Sequence, residues 1–213
     1  MAEAAPSIVG YGAGGHAVSL IDALRSSGRF AVVGLVDDDP AREGDTLLGT
    51  PIETSPGALK RFRVAGVAHA FVGIGGVVNR ATRRTARERL TALGFTLPPI
   101  VHATAWVSPD ARLGAGVQVL AQAVVNAGAV VHDGAIVNTG AIVEHDCVVG
   151  SGAHLGPRAV IGGATQLGDD VHVGMGAVVI ENVRVGAGAF IAAGAVVVGD
   201  VPRGVRVQGV PAR

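Results

Sequence analysis

From residue 101 to residue 197 an aliphatic side chain falls on every sixth position without a slip. The beat runs Val101, Val107, Leu113, Val119, Val125, Val131, Val137, Val143, Val149, Leu155, Ile161, Leu167, Val173, Val179, Val185, Ile191 and Val197. Two positions earlier the residue is nearly always small, as at Ala105, Ala111, Ala123, Ala129, Ala135, Ala141, Cys147, Ala153, Ala159, Ala177, Ala189 and Ala195. A six-residue self-similarity marks a parallel β-helix, a solenoid of very short strands. With three six-residue faces per coil, the stretch makes between five and six coils, the beat pointing inward and the small residue filling the inside corner. Each coil buries little alone, so stability comes from stacking and the ends need covers. The beat leaves no internal loop long enough to fold into a site. Chemistry must therefore use outward side chains, and a groove shared between subunits is the natural way to bury it, which favours a homotrimer.

The first hundred residues follow another rule. Residues 7–11 read as a buried strand running into Gly12-Ala13-Gly14-Gly15-His16. Residues 17–26 have helical spacing, with Val18, Ile21 and Leu24 on one face. Residues 31–36 form a second strand ending in Asp37-Asp38-Asp39-Pro40, and residues 67–74 a third, running into Gly75-Gly76. A helix is expected from about Asn79 to Leu93, its arginines (Arg80, Arg83, Arg84, Arg87, Arg89) mostly facing away from Ala81, Leu90 and Leu93. Strand alternating with helix implies a small parallel α/β domain. Pro98-Pro99 sits in an extended connector over residues 95–100. The expected boundary gives an α/β domain over residues 1–98 and an all-β solenoid with a C-terminal tail over residues 99–213.

Composition agrees with a thin, layered core. Of 213 residues 49% are apolar but only 3% aromatic, and 33 are glycine. Lys+Arg and Asp+Glu are both 17, and no basic stripe with interleaved aromatics appears, which argues against nucleic acid as a partner. Cys147 is the only cysteine, so no internal disulfide and no cysteine-rich zinc site can form. The scattered His69, His102, His132 and His172 offer no metal spacing. With no cationic leader and no apolar run of bilayer length, no membrane association and a cytoplasmic location are expected.

Two polar features interrupt this picture. Gly10, Gly12 and Gly15 satisfy G-x-G-x-x-G between a strand and a helix. Such glycines permit a tight turn and let N–H groups at the helix start approach a phosphate. Asp37 lies about twenty residues on, where an acid can bind a ribose hydroxyl. The domain has room for only one mononucleotide-binding half, so a nucleoside diphosphate fits better than a dinucleotide. A turn that is glycine-rich for backbone reasons alone is the plainer alternative. The second feature is Glu144-His145-Asp146. Histidine titrates near neutrality and serves as a base when a carboxylate fixes its tautomer. In an extended strand both acids would point away from it, so an orienting contact requires a turn at this corner, and either acid could make it. A solvated corner histidine is the competing reading. Cys147, in the small inner slot, reads as packing.

The beat with its small inner residues resembles the left-handed β-helix of hexapeptide-repeat acyltransferases; the handedness comes from that resemblance. Tyr11-Gly12-Ala13-Gly14-Gly15-His16, then Asp37-Asp38-Asp39, then Asn138-Thr139, Val143-Glu144-His145-Asp146-Cys147 and Gly152-Ala153-His154 occur in an order similar to one subfamily. This is the sialic-acid O-acetyltransferase and nucleotide-4-amino-sugar N-acetyltransferase group, including bacillosamine-pathway and perosamine acetyltransferases, and the likeness spans residues 8–213. It implies an acetyl-CoA-dependent N-acetyltransferase acting on the 4-amino group of a UDP- or GDP-linked sugar, without a metal, in a homotrimer whose active site lies between subunits. His145 would be the general base and Asp146 the polarising acid, where the family commonly has Glu, with Glu144 a competitor. Asn138 would lie near the reacting amine, His154 would contact acetyl-CoA, and the backbone of Met175 and Ala193 would meet the CoA arm. Gly12, Ala13, Gly14, Gly15, His16, Asp37 and Asp38 would hold the nucleotide sugar. O-acetylation of a sugar or sialic acid, and a non-catalytic nucleotide-binding trimeric module, are the alternatives.

Overall fold

The computed structural model describes residues 4–75 and 80–213. The chain divides into two units, Met1–Ile100 and Val101–Arg213.

In the first unit, β1 (Ser7–Tyr11) is followed by α1 (Gly15–Ser27), β2 (Ala31–Val36), β3 (Thr46–Leu47) and β4 (Thr50–Glu53). After these come α2 (Ala58–Val64), β5 (His69–Val72) and α3 (Arg80–Ala92). The sheet order is β3-β4-β2-β1-β5. β1 lies between β2 and β5, parallel to both; β4 is parallel to β2, and β3 is antiparallel to β4. Ile8, Val9, Leu35, Ala70 and Phe71 are buried in these strands, the continuous apolar reading expected of a largely parallel sheet. β3, β4 and α2 lacked a sequence signal. The two strands are short and carry Pro51, and α2 buries only Ala58 and Leu59.

Two expectations about helix faces need correction. α1 buries Ala17, Leu20, Ile21, Ala23 and Leu24, a stripe that starts at Ala17 and leaves Val18 37% exposed at its edge. In α3 the buried positions are Arg83, Ala86 and Leu90, while Ala81 is exposed. Arg83 thus belongs to the inward stripe, where its long aliphatic stem can pack. Gly76 and Asn79, expected in the loop and helix start, lie outside the described residues.

The second unit is a parallel β-helix. Its strands fall in three sheets and pair with an offset of one 18-residue coil, as in Val124↔Ile142, Val130↔Val148 and Ile136↔His154. The inward beat is fully buried at Val125, Val131, Val137, Val143, Val149, Leu155 and Ile161 and is half-buried in the first coil. Each buried Val or Leu contributes about 1.5–3 kcal/mol. The corner slot accepts Val117, Thr165, Val171 and Val183 as well as alanine; the Thr165 hydroxyl donates to the Ile180 carbonyl (2.8 Å) and so enters the core satisfied. From residue 116 to residue 194 each turn passes through one left-handed residue, glycine at many corners and Gln122, Asp146, Arg158, Ala164, Asp170 or Asn182 at others. At the C-terminal end Arg206–Val207 pairs with Phe190–Ile191, and Ala212 donates to the Val196 carbonyl and packs on the core. The tail therefore covers the last coil.

Candidate functional site

The glycine loop joins β1 to α1, and the three glycines of the G-x-G-x-x-G spacing have different reasons to be there. A Cβ at Gly10 would lie 2.5 Å from Leu35 and Phe71 inside the sheet. Gly12 has φ of +97°, and its N–H donates to the Val36 carbonyl. Gly15 opens α1, whose first turn has no side-chain cap, so its N–H groups are placed as an anion site would need them. The loop is fastened at Ala13. Its N–H donates to Asp37 Oδ2 (2.6 Å) and its carbonyl accepts from Arg42 Nη1 (3.1 Å). Asp37 also accepts from the Asp39 N–H (3.0 Å). A cleft of about 340 Å³ lies over this loop, lined by Gly12, Gly14, Gly15, His16, Asp37 and Gly73 among others.

Asp38 stands apart from that cleft lining. Its carboxylate accepts from the Tyr11 hydroxyl (2.5 Å) and pairs with Arg89 (3.3 Å), which also donates to the Tyr11 oxygen and lies over the Tyr11 ring. Burial, reinforced by the Asp38 carboxylate, pushes the Tyr11 phenol up to about 12.

On the β-helix, Glu144, His145 and Asp146 occupy one corner. Asp146 has φ of 58°, and this turn brings its carboxylate beside the ring of its neighbour: Asp146 Oδ2 lies 2.9 Å from His145 Nδ1. That hydrogen bond, aided by the charges of Asp146 and Glu144, raises the His145 pKa above its ordinary value. Glu144 is held differently. Its Oε2 accepts from Asn126 Nδ2 (2.9 Å) and from the His145 N–H (3.3 Å), so it touches the histidine backbone and Asp146 touches the ring. The His145 side chain is 64% exposed; with Nδ1 engaged, Nε2 is the nitrogen available to a reacting group. Cys147 sits inward with its thiol on the Gly162 carbonyl (3.1 Å), and burial pushes that thiol up.

Asn138, His154, Met175 and Ala193 gather around the next corner, separated from the first by the strand Ile142–Val143. Asn138 Nδ2 lies 3.2 Å from His154 Nε2. His154 meets His172 edge-on (centroids 5.2 Å apart), and His172 stacks on Phe190 (4.9 Å). Both imidazoles are buried although they stand on outward strand positions. Met175 and Ala193 stack one coil apart at an exposed turn, where Gly194 donates to the Met175 carbonyl (2.9 Å). Within one chain, then, the predicted residues other than Asp38 form three groups: the glycine loop with Asp37, the His145 corner, and the Asn138–His154 corner.

Sequence reasoning overlooked Asn126, Gly128, Gly163 and Arg89. The first three carried a signal. Asn126 is one 18-residue coil before Glu144, Gly128 one coil before Asp146, and Gly163 one coil after His145, so extending the coil period from the aliphatic to the polar residues finds them.

Residues 7–90 match the PglD N-terminal domain, and residues 164–199 match the bacterial transferase hexapeptide (six repeats). Among solved structures the chain is similar to PerB from Caulobacter crescentus, in complex with CoA and GDP-perosamine. The two share 40% identity over 97% of this chain and 96% of that one, with a TM-score of 0.90. It is similar also to the acetyltransferase domain of PglB from Neisseria gonorrhoeae, in complex with acetyl coenzyme A (36% identity, 98% of each chain, TM-score 0.89). WeeI from Acinetobacter baumannii is 25% identical over 97% of this chain and 99% of that one, with a TM-score of 0.84. The comparison with curated proteins gave no match. The chain belongs to the hexapeptide-repeat acetyltransferases that carry a PglD N-terminal domain, and its solenoid is the left-handed β-helix of that family.

Proposed function

We propose that this protein is an acetyl-CoA-dependent N-acetyltransferase acting on the 4-amino group of a nucleotide-linked sugar. The observation that carries the reading is the corner dyad. His145 offers Nε2 to a substrate while Asp146 fixes the opposite nitrogen and supports the charge the ring acquires. In the reaction the acceptor amine attacks the acetyl carbonyl, His145 takes the proton the amine gives up, and the C–S bond breaks to release CoA. When bound, acetyl-CoA supplies the activated acetyl group. The exposed turn at Met175 and Ala193 offers backbone groups of the kind a CoA arm would use, with Asn138 and the buried His154 beside it. The glycine loop and α1 take the diphosphate, with Asp37 holding the loop. In this reading residues 1–98 choose the acceptor and residues 99–213 carry out transfer.

The placement of residues on two corners of one coil supports a homotrimer with the active site between subunits. A groove between two copies can combine the His145 corner of one with the Asn138–His154 corner of the other. One face of the β-helix also presents an outward aliphatic stripe, Val124, Ile142, Val160, Val178 and Val196, ending in Trp106, which is 59% exposed. Such a stripe suits contact with further copies of the chain. A reaction that consumes acetyl-CoA and a nucleotide sugar belongs in the cytoplasm.

Mixing the protein with acetyl-CoA and a panel of GDP- and UDP-linked 4-amino sugars, with the 4-hydroxy sugars alongside, tests this directly by thiol release and product mass. Transfer to an amino sugar is expected. Transfer only to hydroxyls would reassign the protein to O-acetylation, and no release with any acceptor, or undiminished turnover in His145→Ala, would end the reading.

A further inference from the structure

We infer that Gly163 and Gly128 are positioning residues: the absence of a side chain at each supplies the space in which the His145–Asp146 dyad holds its geometry. The inference rests on the acetyltransferase reading for its kinetic consequence. Gly163 lies one coil beyond His145, and a Cβ there would stand 2.6 Å from His145 Nε2 and 2.7 Å from Cε1. Gly128 lies one coil before Asp146, and a Cβ there would stand 2.3 Å from Asp146 Oδ1. Each member of the dyad therefore rests against a glycine of an adjacent coil, one on either side. The backbone ladder keeps these coils in register: Asp146 donates to the Ala127 carbonyl, Ala164 to that of His145, and Asn182 to that of Gly163.

The two glycines differ in what else they do. Gly128 has φ of +74°, so its corner also favours glycine for backbone reasons. Gly163 is outside the left-handed region, and an L side chain is compatible with its backbone. What a methyl group at residue 163 would displace is an exposed ring, free to swing into solvent. The fold survives such a change at little cost, but Nε2 leaves its place and the Nδ1 contact with Asp146 loosens. A reacting group moved by about 1 Å can lose on the order of 100-fold in rate.

Gly163→Ala tests this, with Gly199→Ala as its control. Gly199 occupies the same corner two coils on, and a Cβ there meets nothing within 4 Å. Gly163→Ala should keep its melting temperature and both KM values while kcat falls roughly 10- to 100-fold; Gly199→Ala should match the parent. In Gly163→Ala the His145 imidazole, followed by NMR without substrate, should titrate closer to the ordinary histidine value, because Asp146 and Glu144 are the charges that act on it. Adding Gly163→Ala to His145→Ala should change nothing further. Parent-like kcat and parent-like His145 titration in Gly163→Ala would overturn the inference, as would an additional loss in the double variant. The titration needs no acetyl transfer, so it separates failure of this inference from failure of the proposed activity.

Discussion

In the proposed reading the α/β unit meets its ligand chiefly through backbone N–H groups of the glycine loop, whereas proton transfer on the β-helix falls to side chains standing on a repeating frame. The glycine loop presents N–H groups, and the side chains of Asp37 and Arg42 fasten it through the N–H and the carbonyl of Ala13. The His145 corner reverses this. Its backbone follows the turn shared by the corners from residue 116 to residue 194, left-handed residue included, and in the proposed reading function enters through which side chains the turn carries. A backbone cradle is sensitive to what fastens it and tolerant of the outward residues within it. A side-chain constellation is sensitive to each member and to whatever lies against it in neighbouring coils. One design suits recognition of a phosphate, the other the movement of a proton.

The sharpest way to break this comparison is to remove the proposed base. His145→Ala should lower kcat by about 10²- to 10⁴-fold and leave KM for the nucleotide sugar unchanged, measured by steady-state thiol release. A rise in that KM would mean that the corner also binds the acceptor. Asp37→Ala probes the other side. It frees the Ala13 N–H and removes a charge-assisted hydrogen bond worth about 1.5–3 kcal/mol, so KM for the nucleotide sugar should rise on the order of 10- to 100-fold with kcat retained.

Asp146→Asn gives a smaller effect with a definite sign. The base must be unprotonated to act, so activity falls as pH drops through the His145 pKa. In the parent that acid limb stands above the ordinary value of 6.5, because the hydrogen bond to Asp146 favours the charged ring. With Asn the limb should move down toward that value, and kcat at its plateau should fall by roughly tenfold as the ring loses its orienting carboxylate. The same sign governs stability. The favourable His145–Asp146 contact is fully present below the ordinary histidine value and is lost as pH rises through the elevated one. A limb that fails to move, measured as kcat/KM from pH 5 to pH 9, would assign the orienting role to Glu144.

The two units also differed in how much their residues disclosed. The β-helix was legible coil by coil because one period fixes both what is buried and what is paired; each inward Val or Leu predicts its neighbour 18 residues away. The corner turn that Asp146 needs to reach His145 followed from the alternation rule, since an extended strand would have separated them. The α/β unit disclosed its central strand and glycine loop but not β3, β4 or α2, whose few buried residues form no sustained pattern. Arg83 escaped because a charge was read as outward, although its spacing with Ala86 and Leu90 places it inward. The polar residues that gather at these corners and at the glycine loop could be picked out individually. Their distribution over two corners was implicit in the six-residue faces, since Asn138 and Glu144 stand one face apart, but the period was applied to the aliphatic residues alone.

Outward aliphatic residues provide the last and smallest test, since the two units should treat them differently. Val18 lies at the edge of the buried stripe of α1, 37% exposed, and serves no backbone requirement. Val18→Ser should therefore change stability by no more than about 0.5 kcal/mol in urea unfolding. Ile142 is also outward, but it stands in the middle of the stripe from Trp106 to Val196. If that face joins copies of the chain, Ile142→Asp buries an unpaired charge in the contact and should shift the sedimentation coefficient from trimer toward monomer. If the site is shared as proposed, acetyl transfer should fall with it, because the two corners that act together would lie on different copies. A monomeric Ile142→Asp that kept its activity would show that one chain suffices. A large cost at Val18 would show that the edge of α1 is a contact in its own right.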